Sequence, residues 1–135
     1  MTEKGHHYSY SIDFQPSYSI LNIALKDGQF IKAESGCMIY QSPNISIKTE
    51  KAAKGFWASV KRTFAGESFW INNFLAENGP GILGLAPPYP GDIMYIPIET
   101  GDQWMVYSGG FIACSPTVDM GTKLDEVKFS FEESL

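Results

Sequence analysis

The sequence has few of the residue types from which catalytic and metal centres are built. Only two cysteines, Cys37 and Cys114, and two histidines, His6 and His7, occur among its 135 residues. A structural zinc site needs about four converging ligands, and adjacent residues of a strand, such as His6 and His7, point to opposite faces. We therefore predict that the chain has no metal, no cofactor and no catalytic residues, and that it is not an enzyme.

Charge and long apolar runs are also scarce. Charged residues make up 19% of the chain and the net charge is −5, which disfavours binding to nucleic acid. No apolar run reaches the roughly 18 residues that indicate a membrane-spanning helix, and the N-terminus lacks the pattern of a secretory signal. These features predict a cytoplasmic protein with reduced thiols and no nucleic-acid partner. They do not identify a small-molecule ligand.

A pattern that recurs after 73 residues is the most informative feature of the chain. Residues 35–45 read SGCMIYQSPNI, and residues 108–118 read SGGFIACSPTV. Upstream, Asp27-Gly28 matches Thr100-Gly101 at the same offset. An ungapped match of this length indicates a duplicated unit. We predict one domain over residues 1–135, with a first unit at about 23–95 and a partial second unit at about 96–135.

Each copy has the residue pattern of a β-meander. Apolar and polar residues alternate, turns contain glycine, and a Ser-Pro pair interrupts each copy. The pattern predicts strands at 30–33, 38–40, 44–49, 68–75, 82–86, 92–98, 103–107, 111–114 and 117–120. A helix is predicted at about 54–64, where Phe56, Trp57 and Val60 share one face. The predicted fold is all-β: a jelly-roll-like two-sheet sandwich, or double-stranded β-helix, with an internal repeat and one short helix.

The second copy is shorter than the first. Residues 123–131 are too few to match the helix-containing stretch 50–64, and residues 133–135 resemble 67–69, so we expect the later unit to lack partners for its last strand. Either the sequence is a fragment of a longer protein, or another chain supplies the missing edge, because unpaired edges and surplus apolar residues favour association with another chain. The surplus residues are Trp70, Ile71, Phe74, Met94, Tyr95 and Trp104. We predict a homo-oligomer, and the residues predicted to pack between its subunits are Phe111, Ile112, Val118, Met120, Phe129 and Phe131.

A basic and aromatic segment supports a different function. Lys54, Phe56, Trp57, Lys61 and Arg62 lie in the predicted helix and would suit an anionic membrane surface or an acidic partner. The simpler interpretation, which we favour, is a short helix that packs its aromatic side on the sandwich and exposes its lysines. A peripheral membrane or scaffold-binding module is therefore the alternative function. A cupin-type metal or small-molecule protein is the third.

Two further motifs have structural interpretations. Glu67, Glu77, Asp92 and Glu99 lie beside glycine-containing turns, where acidic residues are common, and nothing in the sequence pairs them for acid–base chemistry. Residues 87–90, PPYP, match a polyproline ligand pattern. We interpret them as a rigid connector between strands.

Three stretches together resemble one family. They are residues 35–40 (SGCMIY), 64–72 (FAGESFWIN) and 84–93 (GLAPPYPGDI). Over nearly its whole length the chain is similar to TRAP-like β-sandwich proteins related to the altered-inheritance-of-mitochondria (mitochondrial biogenesis) group, in their uncharacterised prokaryotic branch. The resemblance implies a sandwich or double-stranded β-helix of repeated units that tends to form oligomers, and mitochondrial members are associated with inner-membrane organisation. It brings no catalytic residues with it, and family members usually run considerably longer.

Overall fold

The computed structural model describes residues 3–4, 8–50, 71–123 and 126–130. Within these ranges the regular structure consists of β-strands and two one-turn 3₁₀ helices, Ser35–Cys37 and Ser108–Gly110. The strands are β1 Glu3–Lys4, β2 Ser9–Asp13, β3 Ile20–Leu25, β4 Phe30–Glu34, β5 Met38–Gln41, β6 Ile45–Glu50, β7 Ile71–Ala76, β8 Gly81–Leu85, β9 Gln103–Tyr107, β10 Ala113–Cys114, β11 Asp119–Lys123 and β12 Glu126–Ser130. The predicted all-β class is confirmed, and the predicted helix at 54–64 lies outside the described residues.

The strands form three antiparallel sheets. One has five strands in the order β1-β2-β3-β8-β5, a second has four in the order β10-β4-β7-β6, and the third has three in the order β11-β12-β9. Burial alternates along central strands of the five- and four-stranded sheets, as in β4, where Ile31 and Ala33 are buried between half-buried neighbours. The predicted sandwich is therefore confirmed.

Two clusters of apolar side chains make up the described core. The first lies between the five- and four-stranded sheets and contains Tyr10, Ile23, Leu25, Ile31, Ala33, Cys37, Ile45, Phe74, Ala76, Leu83 and Leu85. The second contains Ile71, Phe111, Val118 and Met120, with Ile98, Val106 and Cys114 packed against them. Each fully buried aliphatic side chain contributes about 1.5–3 kcal/mol to the free energy of unfolding.

Two of the apolar residues predicted to be in surplus are part of this core. Ile71 and Phe74 are buried because β7 is a central strand with β4 on one side and β6 on the other. Met94, Tyr95 and Trp104 are exposed, as predicted. Trp70 lies outside the described residues.

Corresponding turns occur 73 residues apart in two parts of the molecule. We call residues 20–85 the N-terminal unit and residues 93–130 the C-terminal unit. In the first pair of turns, the Gln29 amide donates to the Lys26 carbonyl (2.9 Å) and the Asp102 amide donates to the Glu99 carbonyl (2.9 Å). In the second pair, the Ile45 amide donates to the Ser42 carbonyl (3.2 Å) and the Val118 amide donates to the Ser115 carbonyl (3.2 Å). Gly28 (φ 84°) and Gly101 (φ 91°) both adopt the left-handed conformation that glycine tolerates best.

The strand registers of the two units also match. In the N-terminal unit β7 lies between β4 and β6, with Phe74 opposite both Ile31 and Ile47. In the C-terminal unit β12 lies between β9 and β11, with residue 129 opposite both Trp104 and Met120. Residue 129 of β12 therefore has the position in its sheet that Phe74 of β7 has in the N-terminal unit. The two strands correspond at an offset of 55 residues. The duplication itself stays a prediction that these matched contacts support.

Two sequence expectations for the C-terminal unit are wrong. A shortened helical stretch was expected at 123–131, but Glu126–Ser130 (EVKFS) alternates polar and apolar residues and pairs as strand β12. Residues 92–98 are not a strand, although their sequence alternates. The corresponding strand β3 is held by β2 on one side and β8 on the other, whereas in the described part of the chain no strand ladder includes residues 92–98.

Candidate functional site

An apolar cavity of about 740 Å³ lies among the described residues. On one side it is lined by residues 92–100, Trp104, Val106, 110–115, Thr117 and Val118, and on the other by Tyr8, Tyr10, Ile12, Leu21, Ile23 and Ile31. We call this cavity the cleft. It lies between the C-terminal unit and strands β2, β3 and β4, and its size is in the range of ligand-binding pockets.

Tyrosine side chains form part of the cleft wall. The rings of Tyr10 and Tyr95 lie 4.9 Å apart and those of Tyr8 and Tyr10 lie 6.1 Å apart. The hydroxyl of Ser115 donates a hydrogen bond of 3.1 Å to the Tyr8 hydroxyl. Burial raises the pKa of Tyr8, and the Ser115 hydrogen bond partly offsets that rise. The Tyr8 hydroxyl is therefore neutral near pH 7, so this wall is mainly apolar.

Neither thiol has the properties of a nucleophile. Both cysteines are free, and burial, followed by the nearby Glu34 carboxylate, raises the pKa of Cys37 to about 12. Burial also raises the pKa of Cys114 to about 12, against a smaller opposite effect of Lys32. A thiol with such a pKa is protonated at neutral pH, and the protonated form is a poor nucleophile.

Asp92 connects the start of the cleft to the β2–β3 loop. Its Oδ1 accepts hydrogen bonds from the Ser19 hydroxyl (2.7 Å), the Gln15 Nε2 (3.0 Å) and the Ile93 amide (2.8 Å). These bonds, led by the one from Ser19, lower the pKa of Asp92. An ionised carboxylate with three donors positions the chain and is poorly suited to general-base work, which needs a pKa near the working pH.

The other acidic residues are turn residues, as their sequence positions indicate. The Glu77 amide donates to the Asn44 carbonyl (3.0 Å), and the Glu99 amide donates to the Asp102 carboxylate (3.1 Å). Within the described ranges, no group of three or more His, Cys, Asp or Glu side chains could hold a metal. Glu67, His6 and His7 lie outside the residues that can be described.

The PPYP connector is tied to the β2–β3 loop at its end. Residue Tyr18 forms a bridge with Gly91, and the Ser19 amide donates to the Gly91 carbonyl (3.1 Å). The ring of Tyr89 is exposed. The connector therefore has defined contacts where it meets residues 91–93.

The residues predicted to pack between subunits have different positions in the structure. Phe111, Val118 and Met120 are buried in the second core cluster, and Ile112 packs against the first. Phe111, Ile112 and Val118 also line the cleft, so a second chain could reach them only by entering it. Residue 129 is part of β12, and Phe131 lies outside the described residues. Their role between subunits stays a prediction.

The residues of the alternative function cannot be placed. Lys54, Phe56, Trp57, Lys61 and Arg62 all lie outside the described residues. In the part of the chain that the structure does describe, no helix is long and apolar enough to cross a membrane.

Comparison with known proteins identifies the family. The sequence model of the mitochondrial biogenesis AIM24 family matches residues 10–135. The chain belongs to the AIM24 family. An uncharacterised Streptococcus pyogenes serotype M6 protein is 29% identical over 111 residues, which cover 77% of this chain and 44% of that protein. The chain therefore spans less than half of the length of this curated relative.

A solved structure shares the fold. A crystal structure of a Streptococcus pyogenes protein superposes with a TM-score of 0.71 at 22% identity, covering 91% of this chain and 60% of that one. The resemblance inferred from the three sequence stretches is confirmed by the AIM24 match, including its relation to uncharacterised prokaryotic proteins.

The cleft was not predicted from the sequence. Its walls come from two stretches that are far apart in the chain, residues 8–31 and 92–118. No local sequence pattern indicates that these stretches lie beside each other.

Proposed function

We propose that this AIM24-family chain is a non-enzymatic assembly module, cytoplasmic in location, that self-associates through open β-sheet edges. Two free thiols support the cytoplasmic part, because reduced cysteines are typical of that compartment. The family match gives no activity, substrate or partner. The role of the whole protein is therefore also proposed.

The observation that carries the proposal is the position of β10. This short strand is the outermost strand of its sheet in the described part of the chain, and it borders the cleft. An edge strand presents backbone N–H and C=O groups to which another chain can add a strand.

Exposed apolar side chains next to this edge support the same conclusion. Met94 is 75% exposed and Tyr95 48% exposed, and Trp104 and Tyr107 are exposed on β9. Apolar residues that are grouped at the surface commonly mark contacts between protein chains. The C-terminal unit therefore combines an open edge with apolar surface.

Sedimentation velocity combined with light scattering tests the proposal. We expect the purified chain, of 15.0 kDa, to have a mass that is a multiple of this value. Met94→Lys should weaken association at least tenfold, because it places a charge at the contact. Tyr89→Lys is the matched control, since Tyr89 is 79% exposed on the connector and does not line the cleft. A monomer at every concentration up to the solubility limit would overturn the proposal.

A further inference from the structure

The charged side chains that line the cleft are acidic. Among the described lining residues there are two carboxylates, those of Asp92 and Glu99, and no lysine, arginine or histidine. Both carboxylate side chains are exposed, so they lie where the cleft opens to solvent. The hydrogen bonds that lower the pKa of Asp92, led by the one from Ser19, keep its carboxylate ionised at neutral pH. The opening of the cleft is therefore negatively charged.

One lysine acts on a residue of the cleft wall without lining the cleft itself. Lys32 in β4 pairs with Cys114 in β10, and its charge partly opposes the effect of burial, which raises the pKa of Cys114 to about 12. Lys32 is not among the residues that line the cleft. An anion bound there would lack a cationic partner in the described lining, and an unpaired charge in an apolar site is costly.

Aromatic rings supply the surface that a cation prefers. Five aromatic side chains line the cleft within the described ranges, namely Tyr8, Tyr10, Tyr95, Trp104 and Phe111. The Tyr10 ring lies 6.1 Å from the Tyr8 ring and 4.9 Å from the Tyr95 ring, with planes tilted by 48° and 40°. These rings are tilted and not stacked face to face, and Tyr95 and Trp104 are 48% and 42% exposed. Ring faces are electron-rich and attract cations.

The remainder of the lining suits an apolar body. Ile12, Leu21, Ile31, Val106 and Ile112 contribute aliphatic surface to the cavity of about 740 Å³. A pocket of this size encloses most of the surface of a drug-sized molecule. A molecule that matches the cleft therefore combines an apolar body with one positive group.

We propose that the cleft binds a small organic cation whose substituted ammonium group lies against the tyrosine rings, near the carboxylates of Asp92 and Glu99, and whose apolar body is enclosed by the aliphatic wall. Aromatic rings that surround a quaternary ammonium group are a recurrent means of recognising such cations. The inference goes beyond the proposed function, because a ligand in the cleft is compatible with a monomer and with an assembly.

Two compounds with the same decyl chain and opposite charge test the site. Decyltrimethylammonium and decanoate are titrated separately into the full chain, below the concentrations at which they form micelles, and binding is measured by isothermal titration calorimetry. We expect saturable binding of one decyltrimethylammonium per chain. Decanoate should bind at least about tenfold more weakly, because its carboxylate meets like charge and no described cationic partner in the lining.

Substitutions at the opening test the role of its charge. Asp92→Asn retains an acceptor oxygen for Ser19 and Gln15, and Glu99→Gln retains the size of the side chain. Each should lower the ratio of cation affinity to anion affinity by about two- to fivefold. Glu77→Gln is the matched control, because it removes the same charge from an exposed turn that does not line the cleft. It should leave the ratio unchanged.

Substitutions at Tyr95 test the role of the rings. Tyr95→Leu keeps apolar surface and removes the ring, so it should weaken binding of the cation by about threefold or more relative to decanoate. Tyr95→Phe keeps the ring and should bind the cation as the wild type does. A ratio of two affinities is the readout, since a partly unfolded variant would lose both compounds together.

Four results would overturn the inference. They are the absence of saturable cation binding, decanoate binding as tight as that of the cation, equal changes of the ratio in the Glu77, Asp92 and Glu99 variants, and equal loss of both compounds in Tyr95→Leu. Sedimentation velocity on the same samples separates the two proposals. A monomer that binds the cation contradicts self-association alone, whereas an assembly that binds no cation contradicts the ligand site alone.

Discussion

The two units of the molecule contain corresponding turns and strand registers but differ in how completely their cores are filled. In the N-terminal unit, β3 and β5 enclose β8, and Leu83 and Leu85 are fully buried. In the C-terminal unit the same positions border a cavity of about 740 Å³, and residues 92–98 do not belong to a strand. Two segments that are both rich in apolar residues thus form a strand in one unit and not in the other.

This difference shows that a strand depends on its neighbours as much as on its own sequence. Residues 20–25 and 93–98 both alternate apolar side chains, but only the first segment has partners on both edges. Strand propensity mainly reflects packing against cross-strand neighbours. The following substitutions test whether the cores really differ.

Leu83→Ala should have the largest effect. Leu83 is fully buried, and removing its side chain leaves a void in a closed core, so we expect the free energy of unfolding to fall by about 3–5 kcal/mol. Val118→Ala, beside the cleft, should cost about 1–2 kcal/mol, because it loses only two methyl groups from an incompletely packed site. Urea denaturation measures both. Equal losses would mean that the second core is packed as tightly as the first.

Gly84→Ala should destabilise the protein by about 1–3 kcal/mol. The new Cβ would overlap the Tyr40 ring, which must move to accommodate it. In a Tyr40→Ala background the same change should cost less than about 1 kcal/mol, and a double-mutant cycle measures the coupling. Additive effects would show that the ring does not restrict position 84.

The sequence predicts the N-terminal unit better than the C-terminal one, for a physical reason. Strands β4, β5, β6 and β8 have both the alternating pattern and the partners to stabilise it, and each was predicted to within two residues of its observed ends. Residues 92–98 are rich in apolar residues but have no strand partners. Strand β12 was missed because residues 123–131 were interpreted as a shortened copy of the helix-containing stretch 50–64. The cleft brings together residues 8–31 and 92–118, which no local pattern specifies.

Raising the pH should destabilise the protein through its thiols. The pKa of Cys37 rises from its ordinary value of 9.0 to about 12 in the folded state. The unfolded chain therefore releases this proton at lower pH than the folded chain, so stability is complete below pH 9 and falls between pH 9 and 12. For one thiol the expected loss between pH 8 and 10 is about 1.4 kcal/mol.

Urea denaturation of the wild type and Cys37→Ala at both pH values isolates this contribution. The loss between pH 8 and 10 should be smaller in the variant by about 1.4 kcal/mol. We expect the same for Cys114→Ala, because burial raises the pKa of Cys114 to about 12 too. A clearly smaller effect at Cys114 would mean that water in the cleft solvates the thiolate, and that the two units differ more in solution than their structures indicate.

Asn44→Ala should have the smallest effect of the four, about 1 kcal/mol. The Asn44 Nδ2 donates to the carbonyls of Glu77 (3.2 Å), Gly79 (3.1 Å) and Pro80 (2.9 Å), so it fixes the turn that leads into β8. Its counterpart, Thr117, is exposed, and Thr117→Ala should change stability by less than about 0.5 kcal/mol. If the two substitutions cost the same when measured by thermal unfolding, Asn44 does not secure β8. The fixed turn would then not distinguish the N-terminal unit from the C-terminal one.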